Sequence, residues 1–153
     1  MPSLNQCKTD VGLEKNGRWV QFGEPEVNRV SDGEGNETVI ETFIELLIAR
    51  MGNPAYEKRL GTLKRSDAKK IMRGKNIDTT MLEPMVKEAM ANCVLLGWRN
   101  LNDENGEEIV YSPEKALQLF NDPSLREFYE FVRDESQDDE AYRLEVKEDQ
   151  AKN

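Results

Sequence analysis

Thr38-Val39-Ile40-Glu41-Thr42-Phe43-Ile44-Glu45-Leu46-Leu47-Ile48-Ala49-Arg50 is the stretch on which the fold turns. Two periods compete in it. Ile40, Ile44, Leu46 and Ile48 fall on one face of a strand, whereas Val39, Phe43, Leu46, Leu47 and Arg50 fit a helical stripe. The β-branched content and the preceding turn cluster Ser31-Asp32-Gly33-Glu34-Gly35-Asn36 favour a strand. Its partner upstream is Arg18-Trp19-Val20-Gln21-Phe22, a short alternating run expected to close at Gly23 and Pro25. The pair predicts a small antiparallel element near the N-terminus.

Downstream the chain reads as helices. Asn53 and Pro54 form a cap and first-turn pair, predicting a helix from Pro54 to about Lys64. Ser66-Asp67 predicts a second, short helix ending near Gly74. Asp78 or Thr79 starts the next, with Leu82, Met85, Val86, Ala89, Met90, Cys93 and Val94 on one face and a stop at Gly97. Trp98 to Leu101, a turn at Asn102 to Gly106, and Ile109 to Tyr111 read as a small hairpin. Ser112-Pro113 and Asp122-Pro123 open two further helices, with Ala116, Leu117, Leu119 and Phe120 on the first and Leu125, Phe128, Tyr129 and Val132 on the second. The expected organisation is a loose arm over residues 1–16, a predominantly helical α+β domain over 17–136, and an acidic helix or tail over 137–153.

Composition narrows the function. The 153 residues carry a net charge of −9 and no histidine. Binding to nucleic acid draws its affinity largely from Lys and Arg contacts to phosphate, so the balance argues against nucleic acid, and against anionic membranes on the same ground. No apolar run approaches the roughly 20 residues of a membrane span, and the first residues lack the basic and apolar regions of a signal peptide. Cys7 and Cys93 show no metal-ligand spacing and read as two free thiols, with a single long-range disulfide as the alternative. Without histidine the usual general base and the commonest transition-metal ligand are missing. Asp103-Glu104-Asn105-Gly106 fails as a calcium loop, because Leu101 and Ser112 would occupy its first and last ligand positions. Gly33-Glu34-Gly35 lacks the third glycine of a phosphate cradle. These readings predict no enzyme, no cofactor and no metal.

Charge is segregated along the chain. Residues 50–75 hold nine basic against two acidic side chains, and residues 121–153 hold eleven acidic against five basic. The two blocks are read either as solvated faces that attract each other weakly or as separate docking surfaces.

The order of landmarks carries a resemblance. Trp19-Val20-Gln21-Phe22 is followed by Ile48-Ala49-Arg50-Met51-Gly52-Asn53-Pro54-Ala55-Tyr56, then Leu96-Gly97-Trp98-Arg99-Asn100 with Gly106. Tyr111-Ser112-Pro113-Glu114 and Leu119-Phe120-Asn121-Asp122-Pro123-Ser124-Leu125-Arg126 complete the series. Over roughly residues 18 to 146 the chain resembles the tail assembly chaperones of long-tailed bacteriophages. The resemblance implies a non-virion protein of the host cytoplasm that coats the tape measure protein, keeps it soluble and helps recruit tail tube subunits, with self-association left open. It also implies a programmed frameshift near the gene's end, for which codons GCA-AAA-AAC at Ala151-Lys152-Asn153 would supply a slippery heptamer. Arg50, Asn53, Tyr56 and Trp98 are the motif residues named as candidate partner contacts, and turn-capping or packing explains them equally. Two alternatives remain: a structural head–tail joining protein of the virion, and a nucleic-acid-binding regulator using the basic 58–75 segment.

Overall fold

The two strands expected around the Gly-rich turn form and pair in the computed structural model, which describes residue 4 and residues 8–72 and 79–143. Side chains of residues 66–81 are outside that description, as are Cys7 and the 144–153 segment with Leu144, Val146 and the Ala151-Lys152-Asn153 end. β1 (Arg18–Ser31) runs antiparallel to β2 (Glu37–Ile48), with Val20 opposite Leu46 and Phe22 opposite Ile44. At the tip, Asp32 Oδ1 accepts from the Glu34 and Asn36 N–H groups, at 2.8 and 3.2 Å, and Gly33 and Gly35 take the positive φ the turn requires.

β1 does not close at Gly23 and Pro25. The register shifts between Phe22 and Glu26, so Gly23, Glu24 and Pro25 stand opposite Phe43 alone. Gly23 supplies the left-handed φ of 74°. Pro25 is tolerated because a bulge on an edge strand needs no ladder donor there. Beyond this bulge the two strands continue as an exposed ribbon.

A third strand, β3 (Leu95–Arg99), pairs antiparallel with β2 on its other side, giving the order β1-β2-β3. The sequence reading placed Trp98 in a local hairpin and carried the preceding helix to Gly97. Instead the helix ends at Cys93, the chain turns at Val94, and Trp98 lies opposite Leu46 on the core face. Val94 and Leu95 are both fully buried, so one apolar run serves helix and strand and hides the boundary. Asn100, at φ 63°, ends the strand, and its side chain donates to the Phe43 carbonyl at 3.0 Å. Residues 101–109 do form the local excursion, tied by Ile109 N–H to the Leu101 carbonyl and by an Asn102–Glu108 bridge.

The helices are α1 (Val11–Asn16), α2 (Pro54–Met72), α3 (Thr79–Cys93), α4 (Pro113–Phe120) and α5 (Arg126–Ser136). Where two helices were expected between Pro54 and Gly74, α2 runs unbroken through Ser66 and Asp67. A capping residue starts a helix only where the backbone N–H groups lack partners, and within α2 the preceding turn already supplies them. α4 and α5 begin as expected. Ser112 caps the first, and Asp122 opens a 3-10 turn, Pro123–Leu125, that leads into the second. The architecture is α+β, with helices predominating and an antiparallel sheet built mainly from residues 18–48.

The core lies between one face of the sheet and α3, α4 and α5, around Leu46, Ile48, Met90, Val94, Ala116 and Val132. Both ends of the described chain are tied to it. Residues 8–16 carry α1, whose cap is Asp10. Asp10 N–H donates to the Tyr142 carbonyl at 2.7 Å, and the fully buried Tyr142 donates its hydroxyl to the Ile48 carbonyl at 2.9 Å. The Arg18 guanidinium lies 5.0 Å over the Tyr142 ring and pairs with Glu135 at 2.7 Å. One aromatic residue therefore anchors residues 137–143, whose other side chains are mostly acidic or polar.

Candidate docking groove

Phe22 and Ile44 are the last cross-strand pair on the core face before the bulge carries the ribbon away. Leu101 and Ile109 come from the excursion after β3, while Leu119 and Leu125 flank the α4–α5 turn. Together they line an open groove of about 770 Å³. All six are half-buried and join the edge of the core. Phe22 is held edge-on against Phe128, with centroids 5.7 Å apart, and 4.9 Å from Phe131. Trp98 supports the far wall from beneath: its indole N–H donates to the Ile109 carbonyl at 2.7 Å, and its ring meets Tyr111 edge-on at 4.9 Å.

Carboxylates predominate on the rim, where Asp103, Glu104, Asp122 and Glu127 face Lys115 and Arg126. Asp103 is fixed by accepting from the Asn105 and Glu107 N–H groups, both at 2.9 Å. The Ser124 hydroxyl, at 2.7 Å, and then its N–H, at 2.9 Å, hold the Asp122 carboxyl below the usual carboxylate range. A concave apolar surface with an ionised rim can take the apolar stripe of a helix and meet basic flanks beside it. Among the described residues, no group of three or more His, Cys, Asp or Glu side chains is placed to hold a metal ion.

The four residues named from the sequence motifs do not come together on this surface. Asn53 is buried and caps α2: its Oδ1 accepts from the Tyr56 N–H at 3.0 Å, and its Nδ2 donates to the Arg50 and Cys93 carbonyls at 2.7 and 2.9 Å. Tyr56 is buried beside it, and burial pushes its hydroxyl up to about 12. Arg50 bridges Glu14 at 2.8 Å and Asp139 at 2.7 Å, joining α1 to the 3-10 turn Asp139–Tyr142. Trp98 alone borders the groove, and does so from below, as a lid on the core.

Phe22 and Ile44 are not singled out by the sequence, where Ile44 reads only as sharing a strand face with Ile40, Leu46 and Ile48. The available signal was Gly23 and Pro25 in β1, which mark where the sheet stops being covered, since β2 is exposed from Glu37 to Glu41 and half-buried or buried from Thr42 to Ile48. Cys93 is half-buried, and burial raises its thiol. Of the basic 58–75 segment, Lys58, Lys64 and Arg65 are exposed and Arg59 pairs with Glu88 at 2.6 Å. Lys69, Lys70, Arg73 and Lys75 fall outside the described side chains.

Comparison with known families gives one finding. The family model described as YdaY prophage protein matches residues 51–153, more than half of the chain. The chain belongs to the YdaY prophage protein family. It is a phage-derived protein, and the matched segment contains α2 to α5, β3 and most of the groove, while the β1–β2 ribbon precedes it. Neither the curated proteins nor the solved structures yield a match. Among the described residues no helix is long and apolar enough to cross a membrane.

Proposed function

We propose that this prophage protein is a tail assembly chaperone that binds the tape measure protein through the groove, keeps it soluble and helps recruit tail tube subunits in the host cytoplasm. The reading has it act by binding alone, without catalysis. The observation that carries it is the groove itself, with its apolar lining and a rim of four carboxylates against two cations. The landmark run from Leu119 to Arg126, which carries the resemblance to tail chaperones, supplies much of one wall. Membership of a prophage protein family supports a phage role of some kind.

The physical logic concerns solubility. A long helical chain that exposes an apolar stripe before assembly tends to associate with itself. Many copies of a small acidic protein, each covering part of the stripe, lower the exposed apolar area and add negative charge. Docking must stay reversible, because tube subunits later replace the chaperone.

The test is co-expression with the long helical tail gene of the same prophage, followed by fractionation. The reading expects the tail protein to move to the soluble fraction and to co-purify with several copies of this chain. A tail protein that stays insoluble and unbound, with this chain soluble beside it, would reject the proposal. A mass-spectrometric census of mature particles separates it from a head–tail joining protein, which would remain in the virion.

A further inference from the structure

Beyond the bulge, residues 24–42 leave the body as a two-stranded ribbon whose described side chains from Val27 to Glu41 are all exposed. Within 37–42, β2 pairs only with β1, and β1 has no strand on its outer side among the described residues, so both ribbon edges are open. Cross-strand partners share a face, which places Val27, Arg29 and Ser31 with Glu41, Val39 and Glu37 on one side, a carboxylate at each end and Arg29 between them. Val27 is 52% and Val39 55% exposed. A solvated ribbon ordinarily carries polar residues at such positions, and isolated two-stranded ribbons are only marginally stable in water. The ribbon is also strongly acidic: residues 24–42 contain six carboxylates and a single cation, Arg29.

The complementary surface lies on α2 of the same chain. Ala55, Lys58, Gly61, Thr62 and Arg65 follow the spacing of one helix stripe, and Lys58, Thr62 and Arg65 are exposed. Two cations there flank Thr62, and the Arg65 Nε donates to the Gly61 carbonyl at 3.2 Å, so its guanidinium lies over Gly61. The spacings agree. Glu37 and Glu41 are separated by about 13 Å along a strand, at roughly 3.3 Å per residue. Lys58 and Arg65 are separated by about 10 Å along a helix, at roughly 1.5 Å per residue, a difference within the reach of these long side chains. Among the described residues no ion pair joins the ribbon to α2 within one molecule.

We infer that the β1–β2 ribbon of one copy docks, through Val27, Val39, Glu37 and Glu41, on the Lys58–Arg65 stripe of α2 in a second copy. Ribbon-to-ribbon pairing is opposed by the like charge of both partners, the usual protection of open strand edges. The contact is therefore head to tail and can repeat, giving a ring or an open row of copies. Exposed ion pairs are individually weak, so the association is modest and sensitive to salt. The inference stands apart from the proposed function, because it concerns the purified chain alone.

Sedimentation of the full chain tests it, at low ionic strength (about 10 mM, where the Debye length is about 30 Å) and at about 1 M, where it is about 3 Å. The expected result is a mass that rises with concentration above the 17.6 kDa monomer at low salt and returns to it at high salt. Glu37→Lys/Glu41→Lys and Lys58→Glu/Arg65→Glu should each weaken association at least tenfold. Mixing the two variants should restore it, since every ribbon then meets a helix of opposite charge. Circular dichroism checks that each variant is folded, and if a reversal unfolds the chain, Glu37→Gln/Glu41→Gln should show the same loss. A wild-type chain that stays monomeric at low salt, association that survives either reversal, or a mixture that stays monomeric would overturn the inference. Capture of the tail protein is not read in this experiment, so either idea can fail without the other.

Discussion

Asn53 shows how one side chain can hold several elements at once. Its amide caps α2 and satisfies carbonyls from the β2–α2 turn and from the end of α3. Asn53→Ala should lower stability by about 2 kcal/mol, more than a simple cap, because the Cys93 carbonyl loses its side-chain donor while the Arg50 carbonyl keeps only the backbone N–H of residue 53. Chemical denaturation would measure it, and a loss under about 0.5 kcal/mol would mean that water replaces the amide. Gly17 is a second such residue. Its φ is 84°, and a Cβ there would lie 3.1 Å from the Ile48 backbone carbon. Gly17→Ala should cost about 1–3 kcal/mol from backbone strain and crowding together, read from the same unfolding curves. The Asn53 cap was legible in the sequence because Asn-Pro before an apolar run is a local signal. Its bonds to Cys93 and the burial of Tyr142 were not, since both depend on segments distant in sequence meeting in space.

Elements differ in how far their neighbours decide them. β1 and β2 could be read from alternation and the Gly-rich turn, and α4 from its Ser-Pro start. β3 could not, because Val94 and Leu95 extend the apolar face of α3 and only the free edge of β2 makes Leu95–Arg99 a strand. The groove was hidden for a related reason: its lining comes from four separate places, and no run of sequence brings Phe22 beside Leu125. Tyr56 and Tyr111 tie α2 and the post-β3 segment to the core, and burial pushes both hydroxyls up to about 12. A raised folded value means that the unfolded chain loses these protons first, near the ordinary value of about 10. Their contribution to stability is therefore complete below pH 10 and is lost as pH rises from about 10 to 12. Thermal melts across that window should show a falling midpoint that is reduced in Tyr111→Phe. An unchanged midpoint through pH 12 would contradict the burial of both hydroxyls.

At the scale of the whole molecule, the sheet and helices hold two surfaces apart: an apolar groove with an acidic rim, and an acidic ribbon that projects beyond the bulge. The family match covers most of the first and begins after the second. The groove is the central claim. Its most direct test is co-expression of the long helical tail protein with wild-type chain and with Leu119→Asp/Leu125→Asp, after confirming by circular dichroism that the variant is folded. A carboxylate pair in the apolar wall should reduce recovery of soluble tail protein at least tenfold, equivalent to about 1.4 kcal/mol, while Glu37→Lys/Glu41→Lys on the ribbon leaves groove binding in place. Recovery at the wild-type level with the folded groove variant would contradict the account and place the contact elsewhere.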